Sequence, residues 1–159
     1  MPVGSFWYTK NVKNTLDRIN YALDFDSDTT TMKMALSNVL HVPAKTTDEK
    51  VDDAGTDDLA DGEGGITGYT GGFGGAGRKV LVATTVAISG VNVQFDANDL
   101  TWTAITSATN LLGQATLVKE ITNDVSSPVL INLGFANVNP GGNDLTVQFA
   151  ATGIGYAST

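Results

Sequence analysis

"KVLVATTVAISGVNVQFDANDLTWTAI", residues 79–105, decides the fold class. Val80, Val82, Val86 and Ile88 fall on one face of an extended chain, interrupted by Thr84. Ser89-Gly90 turns the chain, and Val91, Val93 and Phe95 then alternate with Asn92, Gln94 and Asp96. Ala97-Asn98-Asp99 turns it again, after which Leu100, Trp102 and Ala104 alternate with Thr101 and Thr103. A period of two puts successive side chains on opposite faces, which is the signature of strands. The pattern continues through "QATLVKEI" (114–121), Val129, Ile131, Leu133 and Phe135, and then Leu145, Val147 and Phe149. "NVNPGGND" (137–144) is a strong turn signal, and Thr152-Gly153 breaks the last strand ahead of Ile154 and Tyr156. Short strands at such spacing predict a mainly β protein with an antiparallel β-sandwich or jelly-roll-like body over residues 80–159.

Two segments precede that body. Residues 1–44 open with an arm carrying Phe6, Trp7 and Tyr8. Val12, Leu16, Ile19 and Leu23 recur at helical spacing and predict a short amphipathic helix over about residues 10–22. Met32, Met34 and Leu36 then alternate with Lys33 and Ser37 as a first strand. Residues 45–79 are acidic, then glycine-rich. Eight of the 17 acids lie between Asp48 and Glu63, and eight of the 18 glycines lie between Gly64 and Lys79. The acidic part is small and poor in aromatics, the composition of a solvated loop that does not fold alone.

Charge narrows the function classes. The net charge of −8 supplies no basic stripe for phosphates, which argues against a nucleic-acid partner. No run of 18 apolar residues is present to span a membrane, and residues 1–20 lack the apolar core of a signal peptide, so synthesis in the cytoplasm is expected. Only 16% of residues are charged, and after Lys79 one base, Lys119, and five acids remain. Such bland Thr, Asn and Gln faces suit a body packed against other chains.

Motifs for chemistry fail on context. Gly72, Gly74 and Gly77 match G-x-G-x-x-G, but an acidic loop precedes them and "KVLVATTVAI", a strand, follows where the phosphate mechanism needs a helix. A P-loop needs Lys-Ser/Thr after its last glycine, and Gly77 is followed by Arg78. The glycines are therefore expected to shape a connector, pinned by Tyr69 and Phe73. A calcium loop with Gly62 at position 6 puts Leu59 at position 3 and Gly68 at position 12, where oxygen ligands belong. His41 is the single histidine and there is no cysteine, so neither a zinc site nor a thiolate nucleophile is expected. Asp96 and Asp99 flank a turn, and turn capping accounts for them better than acid–base catalysis. The expectation is a protein that is not an enzyme and carries no cofactor or metal.

Five stretches occur in a suggestive order: "SDTTTMKMAL", "GITGYTGG", "VQFDANDLTWTAI", "ATLVKEITNDVSSPVLINLGF" and "GGNDLTVQFAATGIGY". Together, over about residues 15–156, they resemble a group of small β-rich virion proteins of tailed bacteriophages. The matching positions are Asp28-Thr29, Gly68-Tyr69, Phe95-Asp96-Ala97, Asp99, Thr101-Trp102 and Asp144-Leu145-Thr146-Val147-Gln148. The longer acidic insert and the extra glycines at 71–77 depart from the group. The resemblance implies a capsid decoration (cement) protein, often a trimer, bound to the major capsid protein on the outside of the expanded head. Phe6, Trp7 and Tyr8 are then candidate anchors of the arm on a neighbouring subunit, and Tyr69 and Phe73 are further candidate contacts. A tail or fibre component shares the same composition. A carbohydrate-binding β-sandwich would need an exposed aromatic platform, for which Trp7 and Trp102 are the candidates, though Trp102 reads as core.

Overall fold

The computed structural model describes residues 6–8, 31–53, 57–90, 92–107, 110–150 and 153–158. In chain order they form β1 (Phe6–Trp7), β2 (Met32–Asn38), the single-turn helix α1 (Leu59–Gly62), β3 (Ile66–Thr67), β4 (Lys79–Val80), β5 (Thr85–Ser89), β6 (Asn92–Asp96), β7 (Leu100–Trp102), β8 (Thr106–Ser107), β9 (Leu112–Lys119), β10 (Val129–Val138), β11 (Leu145–Val147) and β12 (Gly155–Ser158). The protein is mainly β, and all of these strand pairings are antiparallel. The helix expected over residues 10–22 lies outside the described residues.

The largest sheet has the order β1-β10-β9-β2-β4. Its centre, β9, is buried from Leu112 through Val118, because β10 and β2 flank it and both of its faces are covered. On one face Leu112, Ala115 and Leu117 join Met32, Met34 and Leu36 of β2 and Ile131 of β10 in the main core. Residues from the smaller sheets complete that core: Phe95 of β6, Leu100 and Trp102 of β7, and Val147 of β11. Each fully buried Leu or Met of this set contributes roughly 1.5–3 kcal/mol relative to exposure. Trp102, 2% exposed, also satisfies its indole N–H by donating to the Gly77 carbonyl at 2.5 Å, which ties β7 to the end of the glycine-rich stretch.

The other face of the large sheet corrects the reading of residues 45–63 as a solvated connector. Val51 and Leu59 from that segment are buried there with Tyr8, Ala35, Val118 and Val129 in a second core. The acids around them cap the backbone of the fold that carries these two plugs. Asp48 accepts from the Ala44 amide, Asp53 from the amides of Glu49 and Lys50, and Asp57 from Val42. Asp58 is the N-cap of α1, its side chain accepting from the Asp61 amide. Composition counted these acids as solvated charge, whereas they work as side-chain replacements for backbone acceptors.

The strand read through "KVLVATTVAI" is corrected as well. It is two strands in two sheets, and the chain passes between them with Ala83 at φ 55°. Leu81, not its neighbours, is buried, donating its amide to the Met32 carbonyl. Val80, Val82, Val86 and Ile88, expected as a core face, are all exposed. The turn reading holds for Asp96, which accepts from the adjacent Ala97 amide, whereas Asp99 reaches across the fold and accepts from the Phe149 amide at 2.7 Å.

Candidate functional site

The glycine-rich stretch builds the most densely charged place among the described residues. Gly72, Phe73 and Gly74 turn three successive amides toward three different carboxylates. Gly72 donates to Glu63 Oε2 at 3.0 Å, Phe73 to Asp124 Oδ2 at 3.1 Å and Gly74 to Glu120 Oε1 at 3.2 Å. Consecutive amides aimed at one concavity make an anion cradle. Here the chain's own carboxylates take these three amides from within.

Arg78, which ends the stretch, binds the same carboxylates from the interior. Its Nε and Nη2 both reach Glu63, with Nε to Oε1 at 2.9 Å, and Nη1 reaches Asp124 Oδ1 at 2.6 Å and Glu120 Oε1 at 3.2 Å. Lys33 of β2 adds a bond from Nζ to Glu120 Oε2. Burial works against the Arg78 charge, but hydrogen bonds to Glu63 and Asp124 outweigh it and hold the guanidinium proton more tightly than usual. Two cations thus face three carboxylates, and the loop amides and the Tyr69 hydroxyl carry the surplus negative charge. The planar guanidinium fork suits this task, since it satisfies several carboxylate oxygens in one plane.

Tyr69 is interior and acts through this cluster. Its hydroxyl donates to Glu63 Oε1 and accepts from the Leu36 amide of β2. Burial, and then the Glu63 charge and hydrogen bond, push its pKa well above the ordinary value of 10.0. The native state therefore keeps a proton that the unfolded chain loses above pH 10, so stability falls as pH rises through that range. The expected slope is about 1.4 kcal/mol per pH unit for this group, with Tyr8, also raised by burial, acting in the same direction. Urea titrations between pH 8 and 11 should show it, and Tyr69→Phe should flatten part of the slope while lowering stability at pH 8.

What the cluster braces is a pair of loops, residues 70–78 and 120–128. They display Phe73, 45% exposed, beside the segment carrying exposed Ile121 and Val125. Of the residues expected as contacts, Phe73 is therefore at the surface, while Tyr69 and Tyr8 are interior. Phe6 and Trp7 pair as β1 with Asn132 and Ile131 of β10, so this part of the arm belongs to the sheet of its own chain. His41 is buried beneath α1, with Gly62 packed against its Cβ and Asp57 3.6 Å from Nδ1. Among the described residues no group of three His, Cys, Asp or Glu side chains is placed to hold a metal ion, and no helix is long and apolar enough to cross a membrane.

Sequence reasoning missed the ionic cluster, because its members stand 15 to 46 residues from Arg78. One signal was available: the basic pair Arg78-Lys79 closes a run of glycines, and Glu120 and Asp124 are two of the five acids that follow Lys79.

No family model, curated protein or solved structure matches this chain.

Proposed function

We propose that this chain is a structural protein of a tailed-phage virion, a decoration (cement) protein that binds the major capsid protein on the outside of the expanded head as a homo-oligomer, with a trimer as the expected form. The single observation that carries the reading is the braced loop pair. An exposed aromatic on a loop held by its own ion pairs and by the amides of Gly72, Phe73 and Gly74 is pre-organised for a partner, and docks with little loss of conformational freedom. The ordered resemblance to small phage virion proteins supplies the partner. A β-sandwich body, with the large sheet facing the smaller ones across the main core, would be a rigid block of the kind that clamps neighbouring capsomers. Many weak contacts repeated over a closed oligomer give such a block its hold on the shell, and binding only the expanded form stabilises it by mass action.

Quantitative peptide mass spectrometry on separated heads and tails tests the reading. The expected result is a copy number near that of the major shell protein, in heads. A few copies confined to tails would transfer the chain to the tail or fibre, and absence from both would end the virion reading. Phe73→Ala should lower occupancy on heads about tenfold or more, and, as a surface change, should move stability by no more than about 0.5 kcal/mol. Unchanged occupancy would remove Phe73 from the contact.

A further inference from the structure

Polar atoms meet without bonding one another at the end of the large sheet where β2 leads into His41. Ser37 of β2, His41 and Gln114 of β9 are all buried, at 0%, 1% and 1% exposure. Ser37 Oγ, His41 Nδ1 and Nε2, and Gln114 Oε1 have no hydrogen-bond partner among the described residues. Buried donors and acceptors are nearly always paired, so four orphan atoms in one place point to a partner that the chain does not supply.

The three residues adjoin pairwise. Ser37 and Gln114 stand opposite each other in the β2–β9 ladder and so share a face. Ala35, two residues before Ser37, puts that face on the side of the second core. Gln114 Nε2 donates to the His41 carbonyl at 2.6 Å. Gly62 of α1 lies over the other pair: a Cβ added there would be 2.6 Å from His41 Cβ and 2.8 Å from Ser37 Cβ. The bonds already made fix which atoms remain. With Gln114 Nε2 held by a carbonyl, Oε1 is left as an acceptor. His41 Nδ1 faces Asp57 Oδ1 at 3.6 Å, which leaves Nε2 for the side away from Asp57.

We propose that a single water molecule is bound between these three side chains as a fixed part of the fold. It donates to Gln114 Oε1 and to His41 Nε2 and accepts from the Ser37 hydroxyl, the three bonds usual for a buried water. Proton counting selects water over a direct contact. Ser37 has one proton and the two acceptors need one each, whereas a water brings two of its own. The neutral ring then keeps its single proton on Nδ1, on the Asp57 side. The site joins β2, β9 and the corner at His41 beneath α1, whose C-cap is Glu63. Glu63 is the carboxylate that Arg78, Tyr69 and Gly72 share. The bound water thus seats the helix that delivers Glu63 to the ionic cluster. Ser37, His41 and Gln114 are positioning residues for the Phe73 loop, whatever that loop binds.

His41 is the chain's single histidine, so its ring gives one unambiguous set of nitrogen resonances. In the nitrogen-labelled full chain at pH 8, the expected spectrum has the proton on Nδ1 and a bare Nε2. A nuclear Overhauser cross-peak should join water to the ring protons that flank Nε2, with the sign of a water that stays longer than the protein takes to tumble. A proton on Nε2, protons on both nitrogens, or no such cross-peak would overturn the proposal. Ser37→Ala should remove the cross-peak and speed exchange of the Gly62 and Glu63 amides, which close α1, about tenfold. Amides of β9 should exchange as before. Unchanged exchange at Gly62 and Glu63 would overturn the positioning role. If Ser37→Ala does not fold, the wild-type spectrum alone decides.

Discussion

Replacing Arg78 with Met should cost about 3–5 kcal/mol, the range for breaking a buried ion pair by removing one partner. The side chain is fully buried, and its loss takes the cation from Glu63 and Asp124 and leaves Glu120 with Lys33. With a urea dependence of about 2 kcal/mol per molar, the unfolding midpoint should fall by roughly 1.5–2.5 M. Arg78→Lys should lose less, since a charge remains, though the fork that engages Glu63 through two nitrogens is gone. Pairing Arg78→Met with Glu63→Gln should return part of the loss, because one uncompensated charge leaves with the substitution. A drop below about 1 kcal/mol for Arg78→Met would mean that water reaches the carboxylates and that the cluster does not brace the loops.

The second large effect separates two glycines three residues apart. At Gly75 an added Cβ would lie 2.3 Å from the Thr70 carbonyl oxygen and 2.4 Å from that of Gly71. Both are backbone atoms of the same turn, so neither can swing aside, and Gly75→Ala should cost about 3 kcal/mol by overpacking. Gly72 has φ 82° and nothing within 4 Å of its Cβ direction. Gly72→Ala should therefore cost only the left-handed backbone strain, about 1–2 kcal/mol. Thermal melts of the two variants check the order. Equal losses would show that the turn around Gly75 relaxes, and that its close approach is not what demands glycine there.

How legible this fold was depended on how far each interaction reaches along the chain. The turn between β5 and β6, to within a residue, and the strand at Leu100–Trp102 were readable, because alternation and turn signals are local. Which face would be covered was not, and Ile88 shows why. Its two-residue spacing from Val86 is real, but a period of two says only that a face is apolar, not that this chain covers it. The acidic segment failed for the complementary reason. Two apolar residues, Val51 and Leu59, set eight apart among acids, give no periodic signal, yet they plug the second face of the large sheet. The candidate site was half visible. The glycines announced a turn-rich loop, and Tyr69 and Phe73 were both read as its pins, of which Tyr69 is interior and Phe73 is exposed. The loop's partners arrive from Glu120 and Asp124 across the fold, and no spacing within residues 64–79 could name them.

The pairing of β2 with β9 also has a consequence for the chain while it is being made. Met32 meets Lys119 and Leu36 meets Ala115, so the two central strands are joined across roughly 80 residues. At roughly 5–20 residues per second, several seconds separate the emergence of Met32, Met34 and Leu36 from that of the strand that shelters them. Over that interval the nascent protein offers an apolar strand with no native neighbour on the side β9 will take. Soluble yield should then be governed by growth temperature and by the supply of chaperones at the ribosome, since cooling weakens the attraction between such strands before the fold can close.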